Sequence, residues 1–324
     1  MTKKIYVQIS GRLGNQLFSY AFARKIQLAS GGEILANFYE VDKTRKMKSD
    51  LSFKDYLKDF KIEYTNLDQM LPLKNMIFKN GSLDQKIYYV LFGILRRVWP
   101  VENTTSLIIS SINKIISKFL AKKGLYVTPF LTGRFDISIK ENSFIYGKFE
   151  DANLFENIQE ELKESIEPIE PIRRENISFL EKIKSSDSVC ISIRRGDFLT
   201  TDYKNDFFQC DDKYFQKSIS IIKEKVENPT FFVFSDDVEY AEQFTRDFLY
   251  FDKVFVEIKG NSIGEKLKLM KSCKHFIISN STFSWWTQFL GDFDDKIVIG
   301  PNKWFPVTGK FTNDKLIQDF WIKL

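Results

Sequence analysis

Two neighbouring arginines, Arg194 and Arg195, stand directly after an apolar, β-branched run, Ser188 to Ile193, and are followed by Gly196 and Asp197. A guanidinium offers a fixed fork of donors that matches phosphate oxygens, and the carboxyl end of a parallel strand is where open α/β domains bind ligands. The placement predicts a site for a phosphate-bearing substrate, with Asp197 either orienting an arginine or meeting a ligand hydroxyl. The alternative is an ion-paired surface loop. Three further groups stand at comparable places. Gly11-Arg12-Leu13-Gly14-Asn15-Gln16 is a glycine-bearing turn before a helix, where backbone amides and the positive helix end approach anions. It carries neither the GxGxxG nor the GK[ST] pattern, so it implies neither NAD nor ATP, and simple strand-to-helix punctuation is the competing reading. Ser235-Asp236-Asp237 offers carboxylates to a nucleobase or ribose, to the helix starting near Val238, or to a divalent metal. Asn280-Ser281-Thr282-Phe283-Ser284-Trp285-Trp286 gathers hydroxyls and an amide at a helix start, suited to a pyrophosphate or to capping, while the tryptophans pack.

These groups need a scaffold that brings strand ends together. Ile5 to Ser10 reads as a strand, Gly11 to Gly14 as a turn, Asn15 to Ala29 as an amphipathic helix and Glu33 to Ala36 as a strand, which is one βαβ unit. The second half repeats the pattern with strands at Ser188 to Ile193, Thr230 to Ser235, Lys253 to Ile258, His275 to Ser279 and Lys296 to Ile299. Strands alternating with helices predict parallel sheets covered on both faces. The proline-bearing segment Glu167-Pro168-Ile169-Glu170-Pro171 places a domain junction between 1–165 and 166–324, and 324 residues suit two domains. From about 51 to 123 the alternation stops, and the region reads as a largely helical insertion. Within it Ile108, Ile112, Ile115, Ile116, Phe119 and Leu120 recur at helical spacing, with Lys114, Lys118 and Lys122 in a row on another face. The expectation is a helix packed on its own domain; the competing reading is a surface helix, Leu107 to Lys123, lying on anionic lipid.

Composition narrows the field. Lys and Arg number 48 against 43 Asp and Glu, a net charge of +5, and 43% of residues are apolar, which excludes collagen-like, disordered and disulfide-scaffold classes. The positive excess is spread along both halves, which argues against a nucleic-acid surface. Cys190, Cys210 and Cys273 are odd in number and form no CxxC, so a reducing, cytoplasmic setting is expected. His275 is the only histidine, which argues against His-rich metal centres and Ser-His-Asp chemistry. Met1 to Ile9 lacks the apolar core of a signal peptide, and the longest apolar stretch, Ile87 to Leu95, is about half the roughly 20 residues of a spanning helix.

Taken in order and spacing, Gly11 to Phe18, Ser192 to Phe198, Phe234 to Asp237 and Asn280 to Trp286 resemble the alpha-1,2-fucosyltransferases of glycosyltransferase family 11, from Ile5 to about Phe305. Gly147-Lys148-Phe149-Glu150 with Phe155, and Gly300-Pro301-Asn302-Lys303-Trp304, are weaker echoes. The resemblance implies a GT-B architecture, two Rossmann-like domains facing a cleft, and an inverting, metal-independent transfer of fucose from GDP-fucose to the 2-hydroxyl of a galactoside, with no cofactor. It implies that Arg194 and Arg195 lie at the donor phosphates, that Arg195 neutralises the departing GDP, and that Ser281, Thr282 and Phe283 line the pyrophosphate. The backbone of Arg12, Leu13 and Gly14 approaches the donor from the other domain, and Asp236 joins the donor site. Three positions depart from the family: Ser192 stands where His is usual, Lys266 where Asp is usual, and Glu150 where Gln is common. Lys266 cannot accept a hydrogen bond from guanine, so Glu265 is the expected substitute, or base selectivity is altered. The general base stays unassigned among Asp197, Glu150 and His275. The implied partners are GDP-fucose and a galactose-containing acceptor, lipid-linked at the inner membrane face, in surface polysaccharide synthesis. Competing readings are a GT-B transferase of another GDP-sugar or linkage and a non-catalytic carbohydrate- or membrane-binding module.

Overall fold

The computed structural model describes residues 2–98, 107–127, 133, 137–196, 210–305 and 314–324. They form two units, Met1–Lys58 with Ile62–Leu162, and Asp59–Lys61 with Lys163–Leu324. Asp59–Lys61 joins the second unit because Lys61 N donates to Glu167 O (2.8 Å) and Ile169 N to Asp59 O (2.9 Å), a backbone pairing that outweighs chain order.

In the first unit, buried Ile5, Tyr6 and Val7 make β1 (Lys4–Gln8) a strand covered on both faces. Gly11, at φ 71°, turns the chain into α1 (Leu13–Ser30), which ends at left-handed Gly31. β2 (Glu33–Asn37), α2 (Tyr39–Lys48), β3 (Thr65–Asn66), α3 (Leu73–Asn80), α4 (Leu83–Val98), α5 (Leu107–Ala121), β4 (Leu125–Val127), β5 (Asn142–Tyr146) and α6 (Gln159–Ser165) follow. The sheet order is β3-β2-β1-β5-β4, all parallel, so the ends of β1 and β5 lie side by side. The expected helical insertion is present as α3, α4 and α5, but the chain between 51 and 72 is largely irregular and contributes edge strand β3.

α5 packs on its own domain as expected, but with its apolar residues only partly inward. Leu120 is buried, but Ile115 is 67% and Phe119 47% exposed, while Asn113 and Ser117 are buried on the inner face. Small and amide side chains let the helix approach the domain closely, and Gln85 anchors its end by donating to Lys123 O (2.8 Å) and Asn142 O (2.8 Å). Its apolar periodicity therefore faces partly outward.

The second unit contains α7 (Arg174–Ser185), β6 (Ser188–Ile193), α8 (Asp212–Lys225), β7 (Thr230–Ser235), α9 (Val238–Phe248), β8 (Lys253–Val256), α10 (Ile263–Lys271), β9 (His275–Ile278), α11 (Thr282–Leu290), β10 (Val298–Gly300) and β11 (Ile322–Lys323). Every residue of β6 and β7 is buried, as central strands of a parallel sheet covered on both faces require. Strand order is β11-β10-β9-β6-β7-β8, again all parallel. β8 stops two residues short of the expected Ile258 because Glu257 turns inward and accepts from Ser235 N (2.9 Å). Among the described residues, no helix is long and apolar enough to cross a membrane.

Candidate active site

Because β7, β6 and β9 are parallel neighbours, the motifs at their ends meet along one carboxyl edge of the second sheet. Arg194 Nη1 lies 2.9 Å from Asp236 Oδ2, and Arg195 N donates to Asp236 Oδ1 at 2.9 Å. A Cβ on Gly196 would press on the Asp236 carboxylate, so a larger residue there would displace that carboxylate from the arginines. The Arg195 guanidinium stacks over the Tyr240 ring, 3.6 Å from its centroid, and Tyr240 donates its hydroxyl proton to Asp212 Oδ1. Burial, then that hydrogen bond, pushes the Tyr240 phenol up to about 12, so it stays protonated. Arg195 Nε is buried with no hydrogen-bond partner among the described residues, and its nearest paired carboxylate, Asp237, stands 3.8 Å away. Asp237 is occupied in capping α9, accepting from Tyr240 N at 3.0 Å.

On the neighbouring strand, Ser281 takes the N-cap position of α11 without a side-chain cap bond, and Ser281, Thr282 and Phe283 are half-buried. Ser192 Oγ and Ser284 Oγ lie 2.7 Å apart, tying the end of β6 to the start of α11. Ser279 Oγ is buried and, like Arg195 Nε, lacks a hydrogen-bond partner among the described residues. Unpartnered buried polar atoms are uncommon, and two of them along one strand edge suit an oxygen-rich anion.

The departures at α10 form a second layer. Lys266 Nζ lies 2.7 Å from Glu257 Oε1 and donates to Ser235 O at 2.8 Å, at the end of β7. Glu265 is buried, accepting from Arg173 N (2.8 Å) and Arg173 Nε (2.7 Å). Burial pushes its pKa up, but hydrogen bonds from Asn176 and Arg173 outweigh this and hold it below the ordinary carboxylate value. Both of its oxygens are thus engaged internally, in contrast to the acceptor for guanine expected there.

The first unit has its own strand-end cluster. Arg12 donates from Nε to Ser52 Oγ (2.8 Å), pairs with Asp50 Oδ2 (3.0 Å), and lies 4.8 Å over the Phe53 ring. Hydrogen bonds from Ser52 and then Arg12 lower the Asp50 pKa. Leu13 and Gly14 open α1, and Gln16 donates to Gly11 O (3.0 Å) and Lys54 O (2.7 Å), fixing the turn. Beyond β5, buried Glu150 accepts from Asn15 Nδ2 at 3.4 Å, and burial raises its pKa, offset in part by Lys148.

A family model described as glycosyl transferase family 11 matches residues 4–321. The chain belongs to this family. It is 28% identical over 334 residues to the O-antigen biosynthesis glycosyltransferase WbnK of Escherichia coli, covering 99% of this chain and 100% of that protein. It is 27% identical over 310 residues to an alpha-1,2-colitosyltransferase of Escherichia coli, covering 93% and 92%. Among solved structures, NodZ alpha-1,6-fucosyltransferase co-crystallised with GDP aligns with TM-score 0.52 at 11% identity, over 92% of this chain and 95% of that one. That likeness bears on the fold alone, which is the expected GT-B class with two Rossmann-like sheets.

Within this glycosyltransferase, Arg194, Arg195, Asp236, Ser281, Thr282 and Phe283 stand at one sheet edge, and Arg12, Leu13 and Gly14 at the turn after β1. Asp197 lies outside the described residues. His275 starts β9, at the opposite edge of the sheet from the arginines, and its Nδ1 accepts from Ile297 N at 3.1 Å, a structural role. Sequence reasoning missed Tyr240, Glu257 and Arg173. Glu257 had a signal, an acid directly ending the apolar run Val254 to Val256; the other two had none.

Proposed function

We propose that the protein is an inverting alpha-1,2-fucosyltransferase that moves L-fucose from GDP-fucose to the 2-hydroxyl of a galactose-containing acceptor in bacterial surface polysaccharide synthesis. The acceptor is lipid-linked, at the cytoplasmic face of the membrane, and the reaction needs no metal. Family membership supports glycosyl transfer, and the names of the two Escherichia coli relatives support an O-antigen setting and a 1,2 linkage. The observation that carries the reading is the arginine pair at the end of β6, with buried Arg195 Nε and Ser279 Oγ lacking partners among the described residues. In the reaction the bond from the sugar's anomeric carbon to the diphosphate oxygen breaks, its electron pair leaving with GDP. The acceptor oxygen attacks the opposite face, and its proton passes to a base. Charge on the departing diphosphate grows toward the transition state, so the guanidinium groups stabilise that state more than the bound donor. Asp197 and Glu150 are the candidate bases; burial raises the pKa of Glu150.

A second reading is transfer of a different sugar from a GDP-sugar, favoured by the colitosyltransferase relative and by Lys266, which cannot accept a hydrogen bond where the family resemblance leads to an acceptor and is itself bound to Glu257 and Ser235 O. GDP release from a panel of GDP-sugars in EDTA, with and without simple β-galactosides, separates the two. Turnover of GDP-fucose alone, accelerated by galactosides and giving a 1,2 linkage by NMR, is expected. Preference for another GDP-sugar supports the second reading, and loss of turnover in EDTA that added metal restores refutes metal independence.

A further inference from the structure

Exposed apolar side chains are ordinary when scattered, but on α4 they are ordered. Leu83, Ile87, Val90, Leu91 and Ile94 are all exposed and recur at i, i+4, i+7, i+8 and i+11, one stripe along one face. The opposite face already holds the helix in place, with Gln85 and Phe92 buried and Tyr88, Tyr89 and Leu95 half-buried. The stripe is therefore a second apolar face, separate from the one that packs on the domain. α5 repeats the arrangement, exposing Ile115 and Phe119 one turn apart while Asn113, Ser117 and Leu120 face inward. The two helices lie side by side: the Phe119 ring meets Tyr88, on the inner face of α4, edge-on at 5.2 Å, and Lys123 Nζ lies 4.9 Å over that Tyr88 ring.

Charge decides what would cover this face. Lys86 and Arg97 flank the α4 stripe, and Lys114, Lys118 and Lys122 run beside Ile115 and Phe119. Asp84 is the one acid in residues 83–98 and 107–123, and it lies 3.6 Å from Lys123 Nζ. Two copies of the chain apposed through this face would set like charges against each other, whereas an anionic lipid surface complements them. It takes the apolar stripe into the headgroup boundary while the Lys and Arg heads stay among the phosphates. At 16 and 15 residues the helices are about 24 Å long or less, too short to span but suited to lying flat. We infer that α4 and α5 form a peripheral docking face for an anionic membrane surface. The face belongs to the first unit alone, so it and the donor-sugar reading fail separately.

The test is co-sedimentation of the full chain with vesicles of phosphatidylglycerol and phosphatidylethanolamine, against phosphatidylcholine vesicles, in low and high salt. Binding to the anionic vesicles, lost in phosphatidylcholine and weakened by salt, is expected. Ile87→Asp with Leu91→Asp should abolish it, and Lys114→Glu with Lys118→Glu should weaken it by at least about 25-fold, since each basic side chain near such a surface is worth about fivefold. All four positions are at the surface, so melting temperatures should stay near that of the unaltered chain. Absence of binding to anionic vesicles overturns the inference, as does undiminished binding by either pair of substitutions. A concentration-dependent dimer in light scattering that Ile87→Asp with Leu91→Asp dissolves also overturns it, in favour of a second copy.

Discussion

Replacing Asp236 with alanine asks whether the carboxyl edge of the second sheet is arranged in advance around an anion. One carboxylate serves two groups, with Oδ2 2.9 Å from Arg194 Nη1 and Oδ1 accepting the Arg195 N–H at 2.9 Å. A charge-assisted hydrogen bond contributes about 1.5–3 kcal/mol and an ordinary one about 1. The Arg194 and Asp236 side chains are 26% and 23% exposed, which puts the ion pair at the lower end of that range. If about 1.5–2.5 kcal/mol of the loss reaches the transition state, kcat/KM for GDP release falls about 10- to 70-fold at 1.4 kcal/mol per decade. Asp236→Asn keeps an acceptor for the Arg195 N–H and loses only the charge, so its fall should be about 3- to 10-fold. The split between constants is diagnostic. Positioning of the arginines lowers kcat, whereas direct contact of Asp236 with a ribose raises KM alone. A kcat/KM for Asp236→Ala within twofold of the unaltered enzyme, with the melting temperature preserved, would refute the reasoning.

Lys266→Met leaves the buried Glu257 carboxylate without its cation and should destabilise the chain by about 3–5 kcal/mol, read as a lowered midpoint in urea. Tyr240→Ala removes the ring beneath Arg195 and should lower kcat about 2- to 10-fold, while Tyr240→Phe retains the ring and stays near the unaltered value. Burial lowers the His275 pKa from 6.5, so the unfolded chain binds that proton more readily. The contribution of His275 to stability is therefore complete above about pH 6.5 and declines as pH falls toward the lowered folded value. Urea melts should show a stability slope below pH 6.5 that His275→Gln reduces; an identical slope in the variant counts against the assignment.

The central strands were legible because their physics is local in sequence. β6 and β7 are buried on both faces, so each is built mainly of β-branched, aromatic and small residues, with the expected ends. The gathering of site motifs followed from the same reading, since parallel strands place their carboxyl ends along one edge. Strands β4 and β5 were not legible: β4 has three residues, too few to show a period, and it is fixed by pairing with β5. Nor does periodicity say whether an apolar face points in or out. At α5 the answer came from Asn113 and Ser117 on the inner side and from Gln85 holding the helix end. The struts of the site were hidden by distance along the chain: Arg173 and Glu265 are 92 residues apart, and Lys266 and Ser235 are 31 apart.

Those struts explain how an edge rich in acids remains suited to an anion. Glu257 is matched by Lys266, Glu265 by Arg173, and Asp236 by Arg194, while Asp237 is used on the first turn of α9. Buried carboxylates in this region are thereby neutralised in pairs and spread little negative potential to the strand ends. Arg195 differs, because its closest paired carboxylate is at 3.8 Å, its Nε is buried without a hydrogen-bond partner among the described residues, and its guanidinium rests on a neutral ring. A guanidinium partly withdrawn from water, its side chain 32% exposed, interacts with an incoming charge more strongly than a fully solvated one, and here it is held in place before that charge arrives. Positive charge at this edge is thus centred on Arg195, the residue that the proposed transfer assigns to the departing diphosphate. The neighbouring acids hold the surrounding cations in position without cancelling it.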